Sequence, residues 1–425
     1  MQTPSTSGVF GADLRAMPRA FWVLVVGAFI NRFGTFVTPF LTIYLWKNGH
    51  SLGEAAWAVS AYGVGGLTGS MVGGWLADRA GRKHTIVIGT FGSAAANILL
   101  YFVKPMPLIM LCAALAGLAG ATYPPASSAL LADVIPEERR VRAWAALRTA
   151  VNAGFAFGTS SAGFLAKISF FWLFAGDALT SVVYGIIALL WLPHGLRSST
   201  RQAPWSEALR DVRRNRSFQY GYAGALCSAL VFSQFGTAYS AHLVSLALSL
   251  DLFGVHFSGE TFYGLLIGWN GALVMLTQLQ VSAVAQCVDP RKAMAWGYLL
   301  VGLGFAANAL AHSVLTLFIA MTVFTLGEMI SAPVANAYLS QLAPERLRGR
   351  YMGLVMLLWG FSSIVGPPVG LRLLERGSQL GWVLCGILGI LGAAFVLRAK
   401  NINREREPDE SEPEPHAVAT AGSAS

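Results

Sequence analysis

Charge is what this sequence has least of. Asp, Glu, Lys and Arg together make up 12% of its 425 residues, about half the share of an ordinary soluble domain, which excludes a water-facing globular enzyme. Cysteine is scarce as well: Cys112, Cys227, Cys287 and Cys385 stand far apart with no Cys-x-x-Cys spacing, so zinc and dithiol chemistry have no support and small apolar residues are the default reading. The seven histidines show no ligand spacing, and no metal or cofactor is expected. A membrane-embedded enzyme would need clustered His, Asp or Ser groups, and the acids within apolar segments are isolated. No G-x-x-x-x-G-K-[ST] loop is present to cradle a nucleoside triphosphate, and no soluble signalling domain of the kind a sensor brings. No A-x-A cleavage site follows the first apolar run, so the N-terminus is expected to remain attached.

What is present is apolar length. Hydrophobic residues make up 55% of the chain, and they gather into runs long enough for a bilayer core of about 30 Å, which takes roughly 20 residues per helix. Twelve runs are predicted as helices, near 20–45, 54–77, 85–103, 106–132, 142–166, 170–193, 218–246, 261–285, 292–311, 314–341, 351–373 and 379–398. Continuous runs argue against the alternating ten-residue segments of a membrane barrel. The expected organisation is an N-terminal segment 1–19, a six-helix bundle 20–193, a linker 194–217, a second six-helix bundle 218–398 and a Pro-, Glu- and Ser-biased disordered tail 399–425. From Trp205 the linker reads either as a short amphipathic helix on the anionic inner leaflet or as a solvated connection.

The net charge of +9 would suggest nucleic acid in a soluble chain, but its distribution gives another reason. Of the 30 Lys and Arg residues, only Lys47, Lys104, Lys167, Arg372 and Arg376 fall on one side of the twelve runs, Arg32 and Arg148 lie within them, and all the rest fall on the other side. The positive-inside rule makes that basic side cytoplasmic and places both termini of this multi-pass chain there, with no nucleic-acid partner, and the Arg-rich, Lys-poor, Ala- and Gly-rich composition points to a bacterial cytoplasmic membrane.

The halves repeat. At an offset of 208, "PEERRVR" (136–142) faces "PERLRGR" (344–350), and Pro125, Ala129 and Gly158 face Pro333, Ala337 and Gly366. "RFGT" (32–35) returns as "QFGT" (234–237). A duplicated six-helix unit is the framework of alternating access, two rigid bundles rocking about a site at the bilayer midplane.

Between the second and third runs, "GGWLADRAGRK" (73–83) holds Gly74, Leu76, Ala77, Asp78, Arg79, Gly81, Arg82 and Lys83. These fill the signature loop of the major facilitator superfamily, and nearly the whole chain resembles bacterial twelve-helix drug:proton antiporters of the MdtH-like kind. The resemblance implies two pseudo-symmetric six-helix bundles, an all-α membrane fold working as a monomer on a small-molecule substrate and protons. It also implies a conformational latch, with Asp78 facing the start of the eleventh run near Arg350 and Tyr351, and a loop arginine paired with Asp133. Gly74 and Gly81 suit close packing and a tight turn. The sequence departs from the exporter pattern at Thr159, which follows Gly158 where a proline is usual, and in the absence of an arginine from the fourth run.

An ionised side chain at the bilayer centre costs at least about 2.5–3.5 kcal/mol on insertion scales, so such a residue normally faces a partner or a watery cavity. Arg32, Arg148, Asp177 and Glu328 qualify. Arg32 lies roughly 18 Å along its helix at 1.5 Å per residue, and with Asn31 it is expected to make the wall of a central cavity polar, with Gln234 as its neutral echo. Arg148 shares a helical face with Asn152, and Glu328 shares one with Asn336; Asn270 is a further candidate for the cavity wall. Arg148 reads either as a cavity residue or as a salt bridge between helices. Glu328 has Gly120 as its repeat partner and so belongs to one half only, which makes it the first proton-coupling candidate. Asp177 is the second, or else a packing or capping carboxylate. The reading is proton-coupled efflux of amphiphilic compounds, with uptake of a specific metabolite as the alternative.

Overall fold

The computed structural model describes residues 17–194, 204–246, 250–252, 255–311, 313–377 and 379–399. Of the expected N-terminal segment 1–19, linker 194–217 and tail 399–425, residues 1–16, 195–203 and 400–425 lie outside the described residues. The fold is all-α, as expected, the described residues adding one antiparallel pair of short strands, β1 (Leu250–Leu252) and β2 (Val255–Phe257).

Twelve traverses are made from fourteen helices. The first bundle comprises α1 (Arg19–Phe33), α2 (Val37–Lys47), α3 (Leu52–Arg79), α4 (Arg82–Phe102), α5 (Met106–Val134), α6 (Glu137–Ile168) and α7 (Phe171–Trp191). After the linker helix α8 (Trp205–Arg214) come α9 (Arg216–Phe232), α10 (Ala238–Ser245), α11 (Gly259–Gln286), α12 (Pro290–Ala306), α13 (Val314–Gln341), α14 (Arg348–Arg376) and α15 (Gln379–Leu397). Eight traverses have the length and apolar composition of a membrane span by themselves. The others fall short for local reasons: α9 and α12 have 17 residues each, α6 opens on a charged turn, and α3 is rich in glycine.

The first and seventh traverses, predicted as continuous, are both broken. In the first, Gly34 closes α1 and α2 restarts at Val37 with Pro39, which has no N–H to give, in its opening turn. In the seventh, α9 stops at Phe232 and α10 restarts at Ala238. The two breaks fall on the repeated "RFGT" and "QFGT", so the duplication carries the interruption with it. Within each bundle small residues allow close approach: a Cβ added at Gly65, Gly69 or Gly73 of α3 would run into the backbone of α5 at Ala114, Leu118 or Thr122.

The buried apolar residues form one cluster at one end and two at the other. At the Lys47 end a single cluster crosses between bundles, with Phe36 and Phe40 of the first meeting Phe235, Tyr239 and Tyr263 of the second. At the Asp78 end each bundle has its own, around Phe21 and Tyr184 in the first and around Phe218 and Tyr351 in the second.

Candidate functional site

Where the bundles meet at mid-height, a cavity of about 480 Å³ opens between them, lined by Arg32, Thr35, Tyr62 and Phe155 from the first half and by Phe232, Thr237, Tyr263 and Trp359 from the second. A side chamber of about 200 Å³ shares Arg32 and Phe155 with it and adds Asn152, Phe235, Asn270 and Glu328. Behind Glu328 a third space of about 160 Å³ reaches Tyr298, Ser331, Asn336 and Trp359. The polar groups of both halves thus converge in one place, with the rings of Phe155, Phe232 and Phe235 in its wall.

Arg32 sits in the last turn of α1, just before the break. Its guanidinium carbon lies 5.3 Å from the centroid of the Phe155 ring, a cation–π arrangement, and its Nε is buried without a hydrogen-bond acceptor. Glu328, midway along α13, is fixed from α11: Asn270 Nδ2 donates to Glu328 Oε2 at 2.9 Å and to Thr325 Oγ1 at 3.0 Å. Trp269 Nε1 donates to Thr322 Oγ1 at 2.9 Å, and Gln278 Nε2 to the Met329 carbonyl at 3.0 Å, so α11 and α13 are joined by a polar ladder with the carboxylate as one rung. Arg148 is exposed and lies within electrostatic reach of Glu328.

The structure therefore brings Arg32, Asn152, Asn270 and Glu328 together, with Arg148 and Asn336 at the approach to Glu328. Three candidates are held elsewhere. Asn31 donates from Nδ2 to Ser181 Oγ at 3.1 Å, inside the first bundle. Gln234 donates from Nε2 to the Leu230 and Gly366 carbonyls, both at 3.1 Å, which fixes the break between α9 and α10, and it lines a separate apolar crevice of about 150 Å³ against α14 and α15. Asp177 is buried, and its Oδ2 accepts from the Val37 backbone N–H at 3.3 Å while Oδ1 accepts from Asn97 Nδ2 at 3.0 Å. It caps the restarted helix α2. Sequence reasoning missed Asn97, Thr325 and Trp359. A polar residue on α4 with no charged neighbour in sequence gave no signal, whereas Thr325, three residues before Glu328 on the same helical face, was available to it.

At the Asp78 end, Gly81 takes φ 97° between α3 and α4, a conformation that glycine supplies. A Cβ added at Gly74 would meet nothing within 4 Å, whereas one at Gly73 would run into α5 at Thr122. Arg82 is buried and forms an ion pair with Asp133 at 2.9 Å and a longer one with Asp78 at 3.7 Å. Arg79 lies over the Trp75 ring at 5.3 Å. Asp78 itself is exposed. The start of α14 is engaged by the linker helix: Tyr351 donates to Asp211 Oδ2 at 2.5 Å, and the Arg350 guanidinium stands 4.6 Å from the Trp205 ring centroid. In the corresponding loop of the second half, Asp289 caps α12 by accepting from the Arg291 N–H at 2.9 Å, and the Arg291 guanidinium beside it holds its carboxyl below the usual carboxylate range.

The family model described as Major Facilitator Superfamily matches residues 24–258 and 230–423. Among curated relatives, a Na(+), Li(+), K(+)/H(+) antiporter of Planococcus maritimus is 27% identical over 375 residues, covering 82% of this chain and 88% of that protein. Multidrug resistance protein MdtH of Yersinia enterocolitica is 26% identical over 332 residues, covering 75% and 78%. Among solved structures, a POT family transporter in complex with 5-aminolevulinic acid superposes with a TM-score of 0.76 at 17% identity, covering 89% of this chain and 96% of that one.

Proposed function

The chain belongs to the major facilitator superfamily and is a membrane transporter rather than an enzyme, and from that premise we propose that it exports small amphiphilic compounds in exchange for protons. The observation that carries this reading is the shared cavity, in which Arg32 and Glu328 face one space from opposite halves among Phe155, Phe232 and Phe235. The rings offer faces for apolar cargo, and the two ionisable groups offer a means of coupling.

The basic-loop end is assigned to the cytoplasm by the positive-inside rule, with both termini on that side. On this assignment the bundles are joined outside and apart inside, an inward-facing carrier. Exchange requires that the carrier cross either with cargo and an ionised carboxylate or with a proton and no cargo. Glu328 suits that alternation because its ionised form is met by the Asn270 amide and by the charge of Arg148, and cargo entering the chamber it shares with Arg32 changes those contacts. Two of the relatives, an alkali cation/H(+) antiporter and a multidrug resistance protein, support exchange and export respectively. Asp177, as the cap of α2, would transmit a change at the break of the first traverse and is the next candidate for the proton.

The test is Glu328→Gln in proteoliposomes with an imposed pH gradient. The variant is expected to exchange cargo without accumulating it against the gradient; accumulation at the parental level refutes the assignment. A second reading, proton-coupled uptake of a specific metabolite, is favoured by the opposite charges facing one chamber, which suit a zwitterion, and by the 5-aminolevulinic acid bound by the structural neighbour. Uptake into right-side-out vesicles under an inward proton gradient would select it.

A further inference from the structure

The linker helix α8 has sorted its charges by face. Glu207, Ala208, Asp211 and Val212, at spacings of one and four, turn inward: Glu207 forms an ion pair with Arg346, Asp211 accepts the Tyr351 hydroxyl at 2.5 Å, and Ala208 is fully buried. Trp205 packs against Gly353 and lies beneath Arg350. Just past the helix, Asn215 Nδ2 donates to the Leu342 carbonyl at 2.9 Å. Both acids of α8 are thereby spent on residues flanking and opening α14. The opposite face holds Leu209, Arg210, Arg213 and Arg214, all exposed, and Arg216 continues it into the first turn of α9. That face carries four positive charges and no negative one. Because α9 is the entry to the seventh traverse, α8 lies at the level where the span meets water.

We propose that this outer face is a docking surface for anionic phospholipid headgroups, and that the helix couples membrane surface charge to the start of α14. Charge complementarity selects the occupant: an arginine within reach of an anionic leaflet strengthens association by roughly fivefold, and the exposed Leu209 supplies an apolar contact below the headgroups. The inference rests on the membrane placement of this end and is independent of the cargo.

The experiment uses the full chain with Cys287→Ser, which removes the exposed cysteine, and Leu209→Cys labelled with an environment-sensitive fluorophore. The probes are vesicles of phosphatidylcholine alone and of phosphatidylcholine with increasing phosphatidylglycerol. Emission is expected to shift to the blue as phosphatidylglycerol rises, to revert in high salt, to stay unshifted when Arg210, Arg213, Arg214 and Arg216 are all replaced by Gln, and to shift again when all four are Lys. Hydrogen exchange in the first turn of α14 should slow in parallel in the parent and not in the Gln variant. Emission indifferent to phosphatidylglycerol overturns the docking, as does an equal shift in the Gln variant. A full shift produced in phosphatidylcholine vesicles by soluble poly-glutamate would assign the face to an acidic protein and overturn the lipid assignment. Exchange that slows equally in parent and Gln variant overturns the coupling.

Discussion

The two ends of the bundle are made from the same repeated unit and are held in opposite ways. At the Lys47 end, hydrogen bonds and an ion pair cross between halves: Gly53 N–H to Glu375 at 3.1 Å, Ser60 Oγ to the Ile364 carbonyl at 2.8 Å, Tyr263 to the Pro39 carbonyl at 3.0 Å, and Lys47 with Glu260. At the Asp78 end the described bonds stay within a half, Arg82 binding Asp133 in the first and Tyr351 binding the linker helix in the second. The lesson is that the conformational state is written in which polar groups are shared across the midline, since the apolar clusters alone follow: one where the groups are shared, two where they are not.

The harshest way to break this comparison is to make the joined end permanent. A Cβ at Gly63 would stand 3.0 Å from that of Ser363, so a small parting of the two helices brings the pair to the Cβ separation of about 3.8 Å that a disulfide takes. Gly63→Cys with Ser363→Cys should reduce transport to background under oxidation and recover it with reductant; transport that continues in the cross-linked protein would mean that the two ends need not alternate.

Arg32→Ala comes next, because it removes one of the two charges that line the chamber at mid-height. A tenfold or greater rise in half-saturating cargo concentration is expected, about 1.4 kcal/mol or more, and unchanged transport with normal expression would reduce Arg32 to a packing residue. Lys47→Ala sharpens the comparison by weakening the joined end alone. Glu260 keeps its bond from Ser258 Oγ at 2.6 Å, and the half-exposed lysine makes the loss modest, about 1 kcal/mol. Distances between spin labels on the two bundles should then show a several-fold larger population open at the Lys47 end. Asp78→Asn acts on the other end and should slow turnover while leaving cargo affinity as it was.

The smallest effect is expected at Asp289, within the second half. Its carboxyl is held below the usual range beside Arg291, so its contribution is complete above the ordinary carboxylate pKa and is lost as pH falls through the depressed one. Asp289→Asn should lower thermal stability slightly at neutral pH, by about 1 kcal/mol as for a lost helix cap, and the difference should vanish in strong acid.

Much of this was legible in the sequence. The twelve runs depend on local composition and return as twelve traverses, and of the two readings of the linker the helix from Trp205 is the one present. The breaks at Gly34 and near Gln234 were not read, because apolar runs continue through them; what stabilises the interruption is a carboxylate from α7 and a glutamine bonding across to α14, contacts distant in sequence. The same holds for the site. Arg32 and Glu328 announce themselves as charges in apolar surroundings, but whether Asn31 or Asn270 faces the cavity is decided by packing angles that spacing does not fix.

Where the two halves do touch, many of the touching residues have almost no side chain. Gly163 meets Gly264, Gly268 and Gly271 lie against Ser160 and Ala156, and Gly63 lies against Ser363. Glycine and alanine have no rotamers to exchange, so along these seams the halves can roll or slide with little repacking, Leu67 resting on the bare surface of Gly360. The seams act as smooth bearings, the repacking falls to the aromatic cluster at the Lys47 end, and opening is timed by domain motion in the microsecond-to-millisecond range.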